Sequence, residues 1–291
     1  MRLLDRLKSM FGPKRLDVRD RYELLREAVH GTMSRFFMAR DRKTGEIVGL
    51  KILDPKKTAE FEARFKGLKK PCEGEIASKF QHPYIVETLE HGKTLDGQQY
   101  LVMEYLGGGG LNTLITAKDP RLDGNRVEFI RHIAEALQAV HDAGFLHRDV
   151  CPRNMLLTTD GFTAKLTDFG LAVPATAPFF QPGNRTGTPN YMAPELVRRF
   201  PTDHRLDVFA FGVTAYEICT GELPWPRGST GMAAMTHHQP PQDICQFRPA
   251  INPALAQAIH ACIEPERNER CPSFKHFLQL IRGIRHEDAK A

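Results

Sequence analysis

No long apolar run, no paired-cysteine motif and no strong charge imbalance occur in this chain of 291 residues, and each absence removes a class of function. The most apolar stretch, Val208 to Cys219, is interrupted by Glu217 and falls well below the roughly 18–20 apolar residues of a membrane span. It is expected to form a buried core helix. The six cysteines (Cys72, Cys151, Cys219, Cys245, Cys262, Cys271) make no C-x-x-C pair and no secretory leader precedes them. Reduced thiols in the cytoplasm are therefore expected, rather than a disulfide framework or a zinc site. Lys and Arg number 40 against 35 Asp and Glu, and the resulting +5 is too mild for nucleic acid to be the main ligand. What remains is an ordinary globular composition, 41% hydrophobic and 26% charged, in a chain long enough to bury a full core.

Residues 1–20 read as an extension. Leu3, Leu4, Leu7, Met10 and Phe11 recur at helical spacing beside Arg2, Arg6 and Lys8, which predicts a short basic amphipathic helix stopped at Gly12-Pro13. Such a helix packs on its own domain or touches a membrane surface or a partner through residues 1–13. Arg35–Ala39 and Ile47–Ile52, around the turn Lys43-Thr44-Gly45, predict a hairpin. A charged helical stretch from about Lys57 to Gln81, broken at Pro71, and strands over Ile85–Glu90 and Gln99–Tyr105 complete a small β-rich lobe, residues 21–106. The glycine run 107–110 marks the joint to a mainly helical lobe, residues 107–284, with helices over Val127–Ala143, Asp207–Thr220, Ala254–Ile263 and Ser273–Ile284. Residues 285–291 are left as a short tail.

Two runs carry the chemistry. His147-Arg148-Asp149-Val150-Cys151-Pro152-Arg153-Asn154 has the form H-R-D-x-x-x-x-N, and 14 positions after Asn154 stands Asp168-Phe169-Gly170. Phosphoryl transfer from ATP needs one carboxylate to orient an acceptor hydroxyl and separate oxygen ligands to hold magnesium against the phosphates. Asp149 suits the first role, Asn154 and Asp168 the second. With Val48-Gly49-Leu50-Lys51 before these runs and Ala193-Pro194-Glu195 after them, residues from about Arg21 to Gly283 resemble the eukaryotic-type serine/threonine protein kinase domain.

The resemblance implies an α+β bilobal protein-kinase fold, with a small antiparallel sheet and one helix in the N-lobe and a larger helical C-lobe. It implies a cytoplasmic enzyme that uses ATP and Mg2+ and phosphorylates serine or threonine hydroxyls of proteins, itself included. Lys51 would hold the α- and β-phosphates, oriented by Glu73 rather than Glu75. Met103, Glu104 and Leu106 would line the adenine edge, with Val29, Gly31, Phe36, Gly49 and Leu156 around the nucleotide. Asp207 would brace the catalytic loop, His147 and Phe169 would join an apolar stack, and Arg270 would partner Glu195 behind the substrate-side loop.

The sequence also departs from the family pattern. Of the glycine-rich loop over Val29–Phe36 only Gly31 survives, with Val29 and Ser34 at other glycine positions, which implies a stiffer lid over the phosphates. Phe36 stands where the family carries valine and Gly49 where it carries alanine, an exchange in which the larger side chain fills the space left by the smaller. Cys151 replaces the lysine that stabilises the transferring phosphoryl group, and Arg153, two positions on, is the cation assigned to that role. Arg148 implies a loop ordered by phosphorylation, with Thr176 and Thr186 as candidates. The alternative is a pseudokinase that binds ATP or acts as a scaffold. A small-molecule kinase does not account for Ala193-Pro194-Glu195 with Arg270.

Overall fold

The computed structural model describes residues 15–30, 34–182, 185–226 and 233–289. The expected N-terminal amphipathic helix and Gly31 lie outside the described residues. The chain divides into two units, Met1–Gln81 with Glu87–Tyr105, and His82–Val86 with Leu106–Ala291.

The first unit is a six-stranded sheet in the order β1-β5-β6-β4-β3-β2. Its strands are β1 (Arg15–Leu16), β2 (Tyr22–His30), β3 (Ser34–Asp41), β4 (Ile47–Leu53), β5 (Thr88–Thr94) and β6 (Gln99–Glu104). Alternation along β3 and β4 places Phe37, Ala39, Val48 and Leu50 on one face, where they pack with Tyr100 and Val102 of β6. Val18 and Tyr22 join this core, so the residues just before Arg21 belong to the unit rather than to an extension. Helix α1 (Val18–Arg21) is capped by Asp17. Its last residue, Arg21, forks Asp41 at 2.7 and 2.6 Å.

The expected helical stretch from Lys57 to Gln81 is shorter and more broken than its charge pattern suggests. Helix α2 (Pro55–Glu62) starts from the Asp54 cap, runs into a 3-10 turn at Ala63–Phe65, and ends before Gly67, whose φ of +85° only glycine adopts without cost. The chain re-enters a helix as α3 (Glu73–Ala77). A Cβ on Gly74 would lie 2.6 Å from the His91 side chain, so glycine permits α3 to press against β5. The strand expected over Ile85–Glu90 begins instead at Thr88, because Ile85 and Val86 are drawn into the second unit by bonding to Leu166.

The second unit is helical, as expected. It contains α4 (Leu111–Ala117), α5 (Arg126–Asp142), α6 (Pro194–Val197), α7 (Arg205–Thr220), α8 (Pro253–Cys262) and α9 (Phe274–Leu280). Two small sheets pair β7 (Phe145–Leu146) with β10 (Val173–Pro174) and β8 (Met155–Leu157) with β9 (Ala164–Leu166). Every residue of α7 from Leu206 to Cys219 is buried, as its apolar run requires. The glycine run is neither flexible nor spare: a Cβ at Gly108 would lie 2.1 Å from the Thr158 carbonyl oxygen. The final residues differ from the expected tail. Glu287 accepts from Gly124 N–H at 2.8 Å and from Arg126 at 2.9 Å, and Arg248 forks Asp288.

Candidate active site

Each unit carries a group of the expected site residues. In the first, β4 presents Lys51 and α3 presents Glu73, and the Nζ to Oε1 distance is 2.6 Å with both side chains buried. A buried ammonium needs such a partner, because desolvation otherwise disfavours its charge. Glu75 is exposed and does other work. Its carboxylate accepts the Cys72 N–H at 2.8 Å, capping the helix that carries Glu73.

Gly49 of β4 lies opposite Met38 of β3 and Met103 of β6. A Cβ there would fall 2.7 Å from Phe36 Cζ and 3.0 Å from Met103 Cγ, so the phenyl ring lies where an alanine methyl would. The Glu104 N–H is spent on the Glu87 carbonyl at 3.0 Å. Val29 pairs through its backbone with Phe36.

In the second unit the H-R-D run leaves β7 and is held from below by Asp207, in the first turn of α7. Its carboxylate accepts the His147 and Arg148 N–H groups, each at 2.8 Å, and His141 Nε2 lies at 2.9 Å. Burial works against ionisation of Asp207, but the His141 hydrogen bond, the nearby histidines and the Arg148 N–H together hold its carboxyl below the usual range. Arg148 and Asp168 have φ of +69° and +66°, a conformation costly for residues with a Cβ and concentrated at functional sites. His147 is a buried scaffold residue. Its Nε2 donates to the Thr167 carbonyl at 3.1 Å and its ring meets Phe169 edge-on at 5.1 Å.

Asp149 is held from two sides. Asn154 Nδ2 donates to its Oδ2 at 2.9 Å and to its carbonyl at 2.7 Å. Thr188 donates to its Oδ1 from the backbone N–H at 2.8 Å and from the hydroxyl at 2.7 Å. The same hydroxyl accepts from Arg153 Nη2 at 3.1 Å and lies 3.7 Å from Cys151 Sγ. Burial, then the Asp149 charge, push the Cys151 thiol up to about 12, so it is neutral at physiological pH and supplies no charge. Arg153 is exposed and supplies one beside Asp149.

Thr188 received no role from the sequence. The available signal was the glycine before it: Gly187 has φ +130°, and a Cβ there would lie 2.9 Å from the Arg148 carbonyl oxygen. Only glycine lets the two loops approach so closely. Behind Thr188, the buried Arg270 forks the Glu195 carboxylate at 2.8 and 3.0 Å, and it also donates to the Arg205 carbonyl. Tyr191, Met192, Leu196 and Leu206 wall a cavity whose rim includes Asp149 and Thr188.

Asn154 and Asp168 carry side-chain oxygens of the kind a magnesium ion takes. Asn154 offers a side-chain oxygen once its Nδ2 is committed to Asp149, and Asp168 offers a carboxylate. Mg2+ usually takes few protein oxygens, keeping water and phosphate for the rest. Among the described residues no group of three or more His, Cys, Asp or Glu could hold a metal ion. No helix among them is long and apolar enough to cross a membrane.

Among curated proteins, the chain is 34% identical over 256 residues to the serine/threonine-protein kinase PknD of Mycobacterium tuberculosis, covering 86% of this chain and 36% of that protein. It is 34% identical over 261 residues to PknH of Mycobacterium bovis, covering 89% and 41%. It is 29% identical over 274 residues to pkn3 of Myxococcus xanthus, covering 88% and 48%. The chain thus spans about a third to a half of the length of these relatives. The family profile described as the protein kinase domain matches residues 22–280, and with the fold and the paired motifs in place this chain belongs to the protein kinase domain family.

Proposed function

We propose that this domain is an active serine/threonine protein kinase, transferring the γ-phosphoryl group of Mg-ATP to hydroxyls of protein substrates and to itself. The observation that carries the reading is the Asp149 carboxylate, fixed by Asn154 on one oxygen and by Thr188 on the other. A carboxylate so placed orients an acceptor hydroxyl toward the phosphate and takes up its proton. Asn154 and Asp168 are the residues that would hold magnesium, which when bound neutralises phosphate charge and aligns the γ-phosphoryl group. Lys51, steadied by Glu73, sets a point charge against the α- and β-phosphates, and Arg153 faces the charge that spreads over the transferring group. Phe36, Gly49, Met103, Glu104, Leu106 and Leu156 form the adenine surroundings, with Val29 and Gly31 in the lid.

The acceptor class rests on the printed names of the relatives, each a serine/threonine-protein kinase. A cytoplasmic location and protein substrates follow from the same reading, with no role for nucleic acid. The basic residues 1–13 are proposed to touch a membrane surface or a partner. Deleting them and measuring sedimentation with anionic liposomes tests that contact.

The alternative, a pseudokinase that binds ATP or serves as a scaffold, draws on the missing glycines around Gly31 and on the Cys151 position. The discriminating experiment is transfer of labelled phosphate from Mg-ATP to the protein itself and to a generic acceptor, beside Asp149→Asn. Transfer abolished by that substitution supports the enzyme. No transfer together with no ATP-induced rise in Tm removes the enzyme reading, and a rise in Tm without transfer leaves a pseudokinase that binds ATP.

A further inference from the structure

The wall of the cavity beside Asp149 hangs on a side chain that no motif contains. Met192 sits between a 3-10 turn begun by Pro189 and helix α6 begun by Pro194. Proline has no N–H to give, so backbone donors are scarce in this stretch. The Met192 carbonyl accepts instead from His237 Nδ1 at 2.7 Å. Since a carbonyl only accepts, the proton is on Nδ1.

His237 is 2% exposed and has little freedom. Its ring lies 4.6 Å from that of Trp225 and 5.6 Å from that of Phe209. Trp225 is itself pinned, its indole N–H donating to the Gln239 carbonyl at 3.0 Å. Phe209 lies on α7 beneath the Arg270 guanidinium at 4.9 Å. Burial lowers the pKa of His237 even though the Met192 carbonyl favours the cation, so the ring is a neutral donor at physiological pH. A neutral, caged imidazole fixes the carbonyl position without adding a further charge beside a cavity already lined by Arg148 and Asp149.

We propose that His237 is a positioning residue for the protein substrate: by holding the Met192 backbone it sets the wall of the cavity that receives the chain flanking the acceptor hydroxyl. The inference rests on the kinase reading above and extends it to a residue outside the family motifs. Because His237 touches neither Asp149 nor the nucleotide residues, its loss affects protein binding and leaves the handling of ATP intact.

The test is steady-state transfer from Mg-ATP to dephosphorylated casein by the full chain and by His237→Leu and His237→Asn. Losing one buried hydrogen bond of this kind corresponds to about a tenfold change. His237→Leu is expected to raise KM for casein about tenfold, with KM for ATP within about twofold of the unsubstituted protein. His237→Asn, whose amide donates from nearly the Nδ1 position, is expected to recover most of the loss. An unchanged casein KM in His237→Leu, a parallel rise in both KM values, or failure of Asn to outperform Leu would overturn the proposal. Should the variants not fold, nitrogen-15 NMR of the unsubstituted protein decides: an Nδ1–H tautomer supports the proposal and an Nε2–H tautomer sinks it. Absence of transfer by the unsubstituted protein defeats the kinase reading instead, and the NMR outcome tells the two failures apart.

Discussion

Arg153 reaches Asp149 through a single hydroxyl: its Nη2 donates to Thr188 Oγ1 at 3.1 Å, and that hydroxyl donates to Asp149 Oδ1 at 2.7 Å. Arg153 is therefore the proposed replacement, two positions along the same loop, for the cation missing at Cys151. Arg153→Ala is expected to lower kcat by about 10²- to 10³-fold, the scale of one lost electrostatic stabiliser, while the ATP-induced rise in Tm persists. Adding Cys151→Lys to that variant should return part of the rate. An Arg153→Ala enzyme with unimpaired kcat would leave Arg153 as a surface residue.

The two glutamates of α3 are separable by experiment. Glu73→Gln weakens the hold on Lys51 and is expected to reduce transfer by as much as ~10²-fold, the cost of a misplaced reacting group, and to lower Tm as well, because it leaves a buried ammonium without its carboxylate. Glu75→Gln weakens only the cap on Cys72 and should cost about 1 kcal/mol of stability or less, with kcat retained. Comparing kcat and urea midpoints for the pair checks the assignment.

Phe36 and Gly49 share one volume. Gly49→Ala forces a methyl against the phenyl ring and Met103, an overpacking worth about 1–3 kcal/mol, and is expected to lower Tm and raise KM for ATP. Combining it with Phe36→Val should recover most of both. A double-mutant cycle that shows no coupling between the positions would refute the exchange.

Cys151 should be chemically silent. Its thiol is buried and pushed up to about 12, and the thiolate is the reactive form. Iodoacetamide at pH 8 on the native protein is expected to modify the exposed Cys245 and to spare Cys151. Peptide mass spectrometry reads the outcome, and denaturation before labelling should abolish the difference.

The Arg21 hydrogen bond lowers the Asp41 carboxyl to about 2, against an ordinary aspartate near ~3.9 in the unfolded chain. A depressed folded pKa means that the pair's stabilisation is fully present above pH ~4 and is lost as pH falls toward about 2. Asp41→Asn should therefore flatten the acid limb of the stability curve in that window and change its slope little above it. Urea midpoints between pH 5 and 2 measure this.

The second unit was legible wherever periodicity or a motif spoke. The apolar run in α7 announced a buried helix, and the H-R-D run announced the loop now found against Asp207. What escaped was decided by contacts distant in sequence. Ile85 and Val86 read as strand, yet they bond to Leu166, 81 and 80 positions away, and so start no strand with β6. Residues 15–20 read as an extension because nothing local shows that Val18 fills the sheet's core. The helix over Lys57–Gln81 was overdrawn because charged residues favour helix in isolation, whereas Gly67 and Pro71 divide it. Thr188 and His237 escaped because their importance lies in what they touch, and no spacing rule encodes that.

Asp207 and Phe209, two positions apart on α7, support different structures: one braces the backbone of His147 and Arg148, the other flanks His237 beneath Met192. Helix α7 therefore acts as a common reference for both. A small shift of the helix carries the acceptor-orienting loop and the cavity wall together, so the displacement is common to both and cancels in their separation. The spacing of loop and wall is thus referred to one helix rather than to two.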